Sequence, residues 1–187
     1  MGAQLYYEDV EIGQSIPAFL RETDFMSWNR YAAVNDEFVY IHMDDEAGKA
    51  AGQGGAFGMG NLRWAYVLNA LRAWAGDEAE IRELALQFRG INHKNDVLRT
   101  SGVVTEKRRE NGENIVVLDV NVLNQNDERT APGRAVVLLP SRDYPQLQES
   151  FRSVEAGEST TSYGGWRSRE RPRSSATRPA ASTGPRR

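Results

Sequence analysis

Hydrophobic positions change period part-way along the chain. In NLRWAYVLNALRAWAG, Trp64, Val67, Leu68, Leu71 and Trp74 recur at i, i+3, i+4, i+7, the spacing of one helix face, and Gly76 is a natural C-terminal stop. Leu62, Ala65, Tyr66 and Ala70 make much of the remaining surface apolar, so this helix must be enveloped; Arg63, Asn69 and Arg72 leave a narrow polar strip. A shorter helix is expected over FMSWNRYAAVN, where Phe25, Trp28, Tyr31 and Ala32 share a face behind the cap-type residues Thr23 and Asp24. MDDEAGKAAG fits a further turn or two of helix.

Beyond Gly76 the period drops to 2. Segments near Glu83–Ile91, Val97–Lys107, Asn114–Leu123 and Ala131–Leu139 alternate as strands do, with Val116, Leu118, Val120 and Val122 on one face against Asp119 and Asn121 on the other. Leu5–Gly13 is expected to be a short extended segment. Asn111-Gly112 is a hairpin signal, and Asn124–Arg129 supplies a longer turn. Such short connections make neighbouring strands antiparallel, since a parallel pair needs a crossover of about a dozen residues or more. One long greasy helix and a sheet of about five strands pack most simply with the sheet wrapped round the helix. The expected class is therefore α+β with the hot-dog arrangement, and so apolar a helix favours pairing two such sheets into a dimer.

Composition divides the chain. The 187 residues carry 23 Lys+Arg against 26 Asp+Glu, a net −3. Residues 142–187 hold nine arginines and five acids, a net +4, which leaves residues 1–141 with 14 bases and 21 acids, a net −7. The arginine-, serine- and proline-rich stretch after 141 lacks any apolar period, so a folded domain over 1–141 and a disordered tail over 142–187 are expected. An RNA-binding or acid-binding arm is one use for such a tail; a solvated extension is the plainer one, and no nucleic-acid partner is expected. The absence of cysteine excludes disulfide scaffolds, zinc ribbons and thiol nucleophiles. The opening MGAQLYYEDVEIG lacks the basic and apolar regions of a signal peptide, and no stretch reaches the roughly 18 apolar residues of a membrane span, so a cytoplasmic protein is expected.

The chemistry concentrates in NDEFVYIHMDD, where His42, one of two histidines, follows Asp36 and Glu37 and precedes Asp44 and Asp45. A carboxylate and an imidazole on one loop can divide the proton transfers needed to add or remove water. Asp44 and Asp45 read more simply as first-turn helix acids, and His93 in GINHKND as structural. The stretch GQGGAFGMG opens onto the long helix, and unpaired helix-start amides at Gly58 or Gly60 could hold a developing oxyanion.

Residues 1 to about 140 resemble the MaoC-like acyl dehydratases, which include the R-specific enoyl-CoA hydratases. The resemblance runs in order through YYEDVEIGQSIP, YAAVNDEFVYIHMDDEAGKAAG, FGMGNL, LALQFRGINHKNDVLRTSGVV and APGRAVVLLP. It implies reversible hydration of an enoyl-CoA thioester, with His42 as acid/base histidine, Gly60 as thioester-carbonyl donor, and no metal or redox cofactor. Ungapped from His42, the family's aspartate falls on Glu37, while an aspartate stands one residue earlier at Asp36, and Val39-Tyr40 replaces the family's Asn-Pro. If the extra residue bulges out, Asp36 is the acid, which is the assignment preferred; Glu37 is the alternative. Two rivals remain. A hot-dog thioesterase would want a carboxylate near the central helix, and none lies between Phe57 and Trp74. A non-catalytic subunit of a heteromeric hydratase fits the displaced acid, and RAWAGDEAEI resembles subunits acting on steroid side-chain CoA esters. A homodimer or a heterodimer with a related subunit is implied.

Overall fold

The computed structural model describes residues 4–143. The element order is β1 (Phe19–Glu22), α1 (Phe25–Asn35), α2 (Asp45–Ala50), α3 (Gly60–Ala75), β2 (Glu80–Leu86), β3 (Val97–Glu110), β4 (Glu113–Leu123) and β5 (Arg129–Leu138), with 3-10 turns at Tyr7–Asp9 and Tyr40–His42. The strands form one sheet in the order β1-β3-β4-β5-β2, and every pairing is antiparallel.

Each connection has a local cause. Asn111 (φ 51) and Gly112 (φ 81) both take left-handed backbone, the requirement of a type I′ hairpin, and bring Glu110 opposite Glu113. The β4–β5 turn is closed by Asn124, whose amide donates to Glu128 O and whose Oδ1 accepts from the amides of Asn126 and Glu128. Asp24 caps α1 by accepting from Ser27 N at 2.7 Å, and Asp44 caps α2 by accepting from Ala47 N at 2.7 Å.

The sheet curls round α3, which touches β1, β2, β3 and β4. Val116, Leu118, Val120 and Val122 turn inward with Ala131, Ala135 and Val137 onto Tyr66, Val67, Ala70, Leu71 and Trp74 of the helix, while Trp28 and Ala32 of α1 close the same core. This is the hot-dog fold, as the alternating pattern implies.

Three details differ from the sequence expectation. The fifth strand is not in Leu5–Gly13, which holds a 3-10 turn, but at Phe19–Glu22, too short for alternation to register. The buried face of α3 is rotated relative to the expected stripe: Trp64 is half-exposed and donates Nε1–H to Leu84 O at 3.2 Å. Arg63, placed in the solvent strip by the helical pattern, is only 4% exposed. The bulk of the expected disordered tail, residues 144–187, lies outside the described residues.

Candidate active site

His42 ends the 3-10 turn that joins α1 to α2, and its own amide donates to Val39 O at 3.0 Å. Its ring is half-buried edge-on against Phe57, with centroids 5.1 Å apart, and Nδ1 lies 2.6 Å from Phe57 O. Phe57 returns its amide to Ile41 O at 3.3 Å, so the histidine turn and the Gly-rich loop are tied in both directions. A carbonyl oxygen can only accept, so Nδ1 carries the hydrogen and the neutral ring presents a bare Nε2.

The Gly-rich loop is held against α2. Asp45 Oδ1 accepts from Ala56 N at 3.0 Å while its Oδ2 accepts from Lys94 Nζ at 3.0 Å. The Lys94 hydrogen bond, followed by that from Ala56, holds the Asp45 carboxyl below its ordinary value. Gly48 is buried under the loop, and a Cβ there would stand 2.1 Å from Gly55 O. Asp44 and Asp45 thus do structural work, as their place in a first helical turn implies. His93 does so too: its amide donates to Asp96 Oδ2 and its carbonyl accepts from Thr23 Oγ1 at 2.7 Å.

The two candidate glycines part company. Gly58 has already given its amide to Asn92 O at 2.8 Å, and a Cβ on it would fall 2.0 Å from Asn92 Nδ2. Its backbone is spent on packing, which removes it as an anion donor. Gly60 is the first residue of α3, and Met59 before it offers no side-chain cap. First-turn amides of a helix lack intrahelical acceptors and carry partial positive charge. The Phe88 ring lies against Gly60, with carbons 3.0 Å from where a Cβ would sit.

The carboxylates are less closely joined to His42. Asp36 terminates α1 in left-handed backbone (φ 53), with both its amide and that of Glu37 turned back to Ala32 O. Its side chain is exposed, whereas Glu37 is half-buried. Burial, and then the Glu37 charge, push the Tyr31 phenol up. Among the described residues the His42 ring hydrogen-bonds to Phe57 O alone, and neither Asp36 nor Glu37 bonds to the imidazole.

A family model described as the MaoC like domain matches residues 11–126. The chain belongs to the MaoC-like domain family. That span takes in the His42 turn and the start of α3 together with β1–β4. Among solved structures, the MaoC-like chain is similar to the unliganded R-hydratase PhaJ1 of Pseudomonas aeruginosa, at 21% identity and TM-score 0.69, covering 74% of this chain and 88% of that one. It is similar to the (R)-hydratase of A. caviae involved in PHA biosynthesis, at 20% identity and TM-score 0.67, covering 71% and 99%. A third likeness is to the ChsH1-ChsH2 complex of Mycobacterium tuberculosis, at 19% identity and TM-score 0.63, covering 69% and 98%. At such identities the likeness carries the fold. No curated protein matches in sequence. No helix among the described residues is long and apolar enough to cross a membrane.

Several residues that shape the site escaped the sequence reading. Phe57 acts through its carbonyl, which leaves no side-chain signature. Asn92 and Arg63 are buried polar residues, 1% and 4% exposed, and Phe88 covers the helix start. The one available signal was Arg63 itself, a cation standing in a helix otherwise apolar on nearly every side.

Proposed function

We propose that the protein adds water reversibly across the 2,3 double bond of an enoyl-CoA thioester. The bond from His42 Nδ1 to Phe57 O carries this reading, because it leaves Nε2 as the basic nitrogen and ties the ring to the loop that leads into Gly60. Nε2 takes a proton from water as the water oxygen bonds to C3. The thioester oxygen gains negative charge, and the Gly60 amide at the start of α3 stabilises it. Delivery of a proton to C2 completes the 3-hydroxyacyl product. In this reading Asp36 orients the water and shares the proton traffic, with Glu37 as the neighbouring carboxylate that could contact substrate. Coenzyme A enters as part of the substrate, and the residues named account for the chemistry through a carboxylate, an imidazole and a backbone amide.

Following the loss of conjugated-thioester absorbance with crotonyl-CoA and longer 2-enoyl-CoAs tests this. Wild-type protein is expected to hydrate at least one of them, and His42→Ala to lower kcat by about 10²–10⁴-fold in a chain that stays folded. Full activity in His42→Ala overturns the mechanism. A thioesterase is disfavoured because the 16 residues of α3 carry no carboxylate. One observation favours a second reading, a partner subunit: Asp36 stands exposed at the end of α1 and does not bond to His42. Exposed Val34, Phe38 and Tyr40 nearby support pairing with a second copy or a related hot-dog chain. Protein inert alone but active with a second MaoC-like chain would decide for the subunit role.

A further inference from the structure

Arg63 sits in the first turn of α3, three residues past Gly60, and is 4% exposed. It donates twice, to Gly90 O at 2.6 Å and Thr130 O at 3.1 Å, and both bonds leave from Nη1. Nε is enclosed and has no partner. Nη1 is the nitrogen on the Cδ side of a guanidinium, so these bonds leave open the edge formed by Nε–H and Nη2. That edge offers two parallel N–H groups, the fork that fits both oxygens of one carboxylate. Among the described residues no acid pairs with Arg63, and burial alone pushes its pKa down. A cation withdrawn from water without a counter-charge is costly, and two carbonyls offset it only in part.

The surroundings lead from this cation to the reacting centre. The guanidinium lies 4.9 Å from the centroid of Phe88, whose ring also rests on Gly60. Phe88 is 46% exposed, so this one ring stands between solvent and both groups on the side it covers. Asn92, two residues beyond Gly90, is a second buried polar group at this helix start: its Oδ1 has no partner and its amide packs on Gly58. Two enclosed side chains with unused hydrogen-bonding capacity thus flank the proposed thioester site, and one carries a full positive charge.

We infer that the acyl group taken here bears a carboxylate, which Arg63 receives through Nε and Nη2, so the substrate class is the thioester of a 2-enedioic acid. This rests on the hydratase reading above. A neutral 2-enoyl group leaves the cation unpaired, whereas a 2-enedioyl group supplies its counter-ion.

Hydration of 2-enedioyl-CoAs is compared with that of 2-enoyl-CoAs of equal carbon number, across a series of chain lengths, in wild type, Arg63→Met and Arg63→Lys. Wild type is expected to favour the carboxylated member of at least one pair by about 10- to 100-fold in kcat/KM. Arg63→Met is expected to erase that preference and Arg63→Lys to restore part of it. Equal rates within every wild-type pair, or an equal fall for both members in Arg63→Met, overturns the inference and leaves Arg63 as a clamp on Gly90 and Thr130. No hydration of any member overturns the hydratase reading instead. Calorimetric binding of saturated dioyl-CoAs against acyl-CoAs to wild type then still decides the carboxylate, since equal affinities refute it whether or not the variants fold.

Discussion

A carbonyl, not a carboxylate, orients the ring of His42. With Nδ1–H given to Phe57 O at 2.6 Å, the imidazole gains orientation but no charged hydrogen-bond partner, and the proposed mechanism assigns the anionic assistance to Asp36, with Glu37 as the alternative. Asp36→Asn is therefore expected to lower kcat by about 100-fold with little change in KM, while Glu37→Gln stays near wild type. The reverse ranking would hand the acid's role to Glu37 and make Asp36 a helix terminator. Asn at 36 tolerates left-handed backbone, so the substitution tests charge without disturbing the end of α1. At this scale the sequence was a partial guide. The roles given to His42 and Gly60 are part of the proposal; the place of Gly60 at the start of the long helix was legible because a helix start is local. Gly58 was not, since nothing in GMG tells a free amide from one bonded to Asn92, 34 positions along the chain. Arg63 was misplaced because a helical pattern assigns a charge to solvent, whereas the long arginine side chain reaches two carbonyls on the sheet side.

At the scale of elements, α2 matters more than its six residues suggest. It bears no catalytic group, yet it props the Gly-rich loop: Asp45 holds Ala56 N, and Gly48 lets Gly55 lie directly on the helix. A methyl group at position 48 would meet backbone atoms at 2.1 Å, 2.3 Å and 2.6 Å, which no side-chain adjustment relieves. Gly48→Ala is expected to cost about 1–3 kcal/mol in chemical denaturation. It should also lower activity beyond what stability explains, because the loop carries Phe57 O and leads into Gly60. Unchanged kcat in a folded Gly48→Ala protein would show that the loop position is not critical. The periodic elements, α3 and β3–β5, were readable from the sequence because their patterns are long. The four-residue β1 was not, because pairing with β3 defines it, and the Gly-rich loop was legible by composition but not in the contacts that hold it.

Across the whole molecule, the start and the end of the described chain are fastened together. Tyr7 N donates to Pro140 O at 2.8 Å, Ser141 Oγ donates to Glu8 at 2.5 Å, and Arg142 grips Asp9 through two bonds of 2.7 Å. We propose that the folded unit runs through Asp143, two residues beyond the boundary drawn from composition. Cutting after Asp143 is then expected to preserve the melting temperature, whereas cutting after Pro140 removes every one of Ser141's and Arg142's contacts and lowers it. Ser141 is 3% exposed, so losing its hydroxyl in Ser141→Ala should cost about 1 kcal/mol, or roughly 3 °C. The fastening has a pH signature. The Arg142 hydrogen bond holds Asp9 below its ordinary 3.8. For Glu8, desolvation works upward but is outweighed by the hydrogen bonds from Ser141 and the Arg142 amide, so it too lies below its ordinary 4.5. Depressed carboxylates stabilise the fold fully above their ordinary values and lose that contribution as pH falls through the lowered ones. Amide exchange at Tyr7 and Arg142 should therefore be steady from neutral pH down to about 5 and, corrected for the intrinsic rate, accelerate below about 4. Acceleration already near pH 6 would mean that a group other than these two carboxylates controls the fastening.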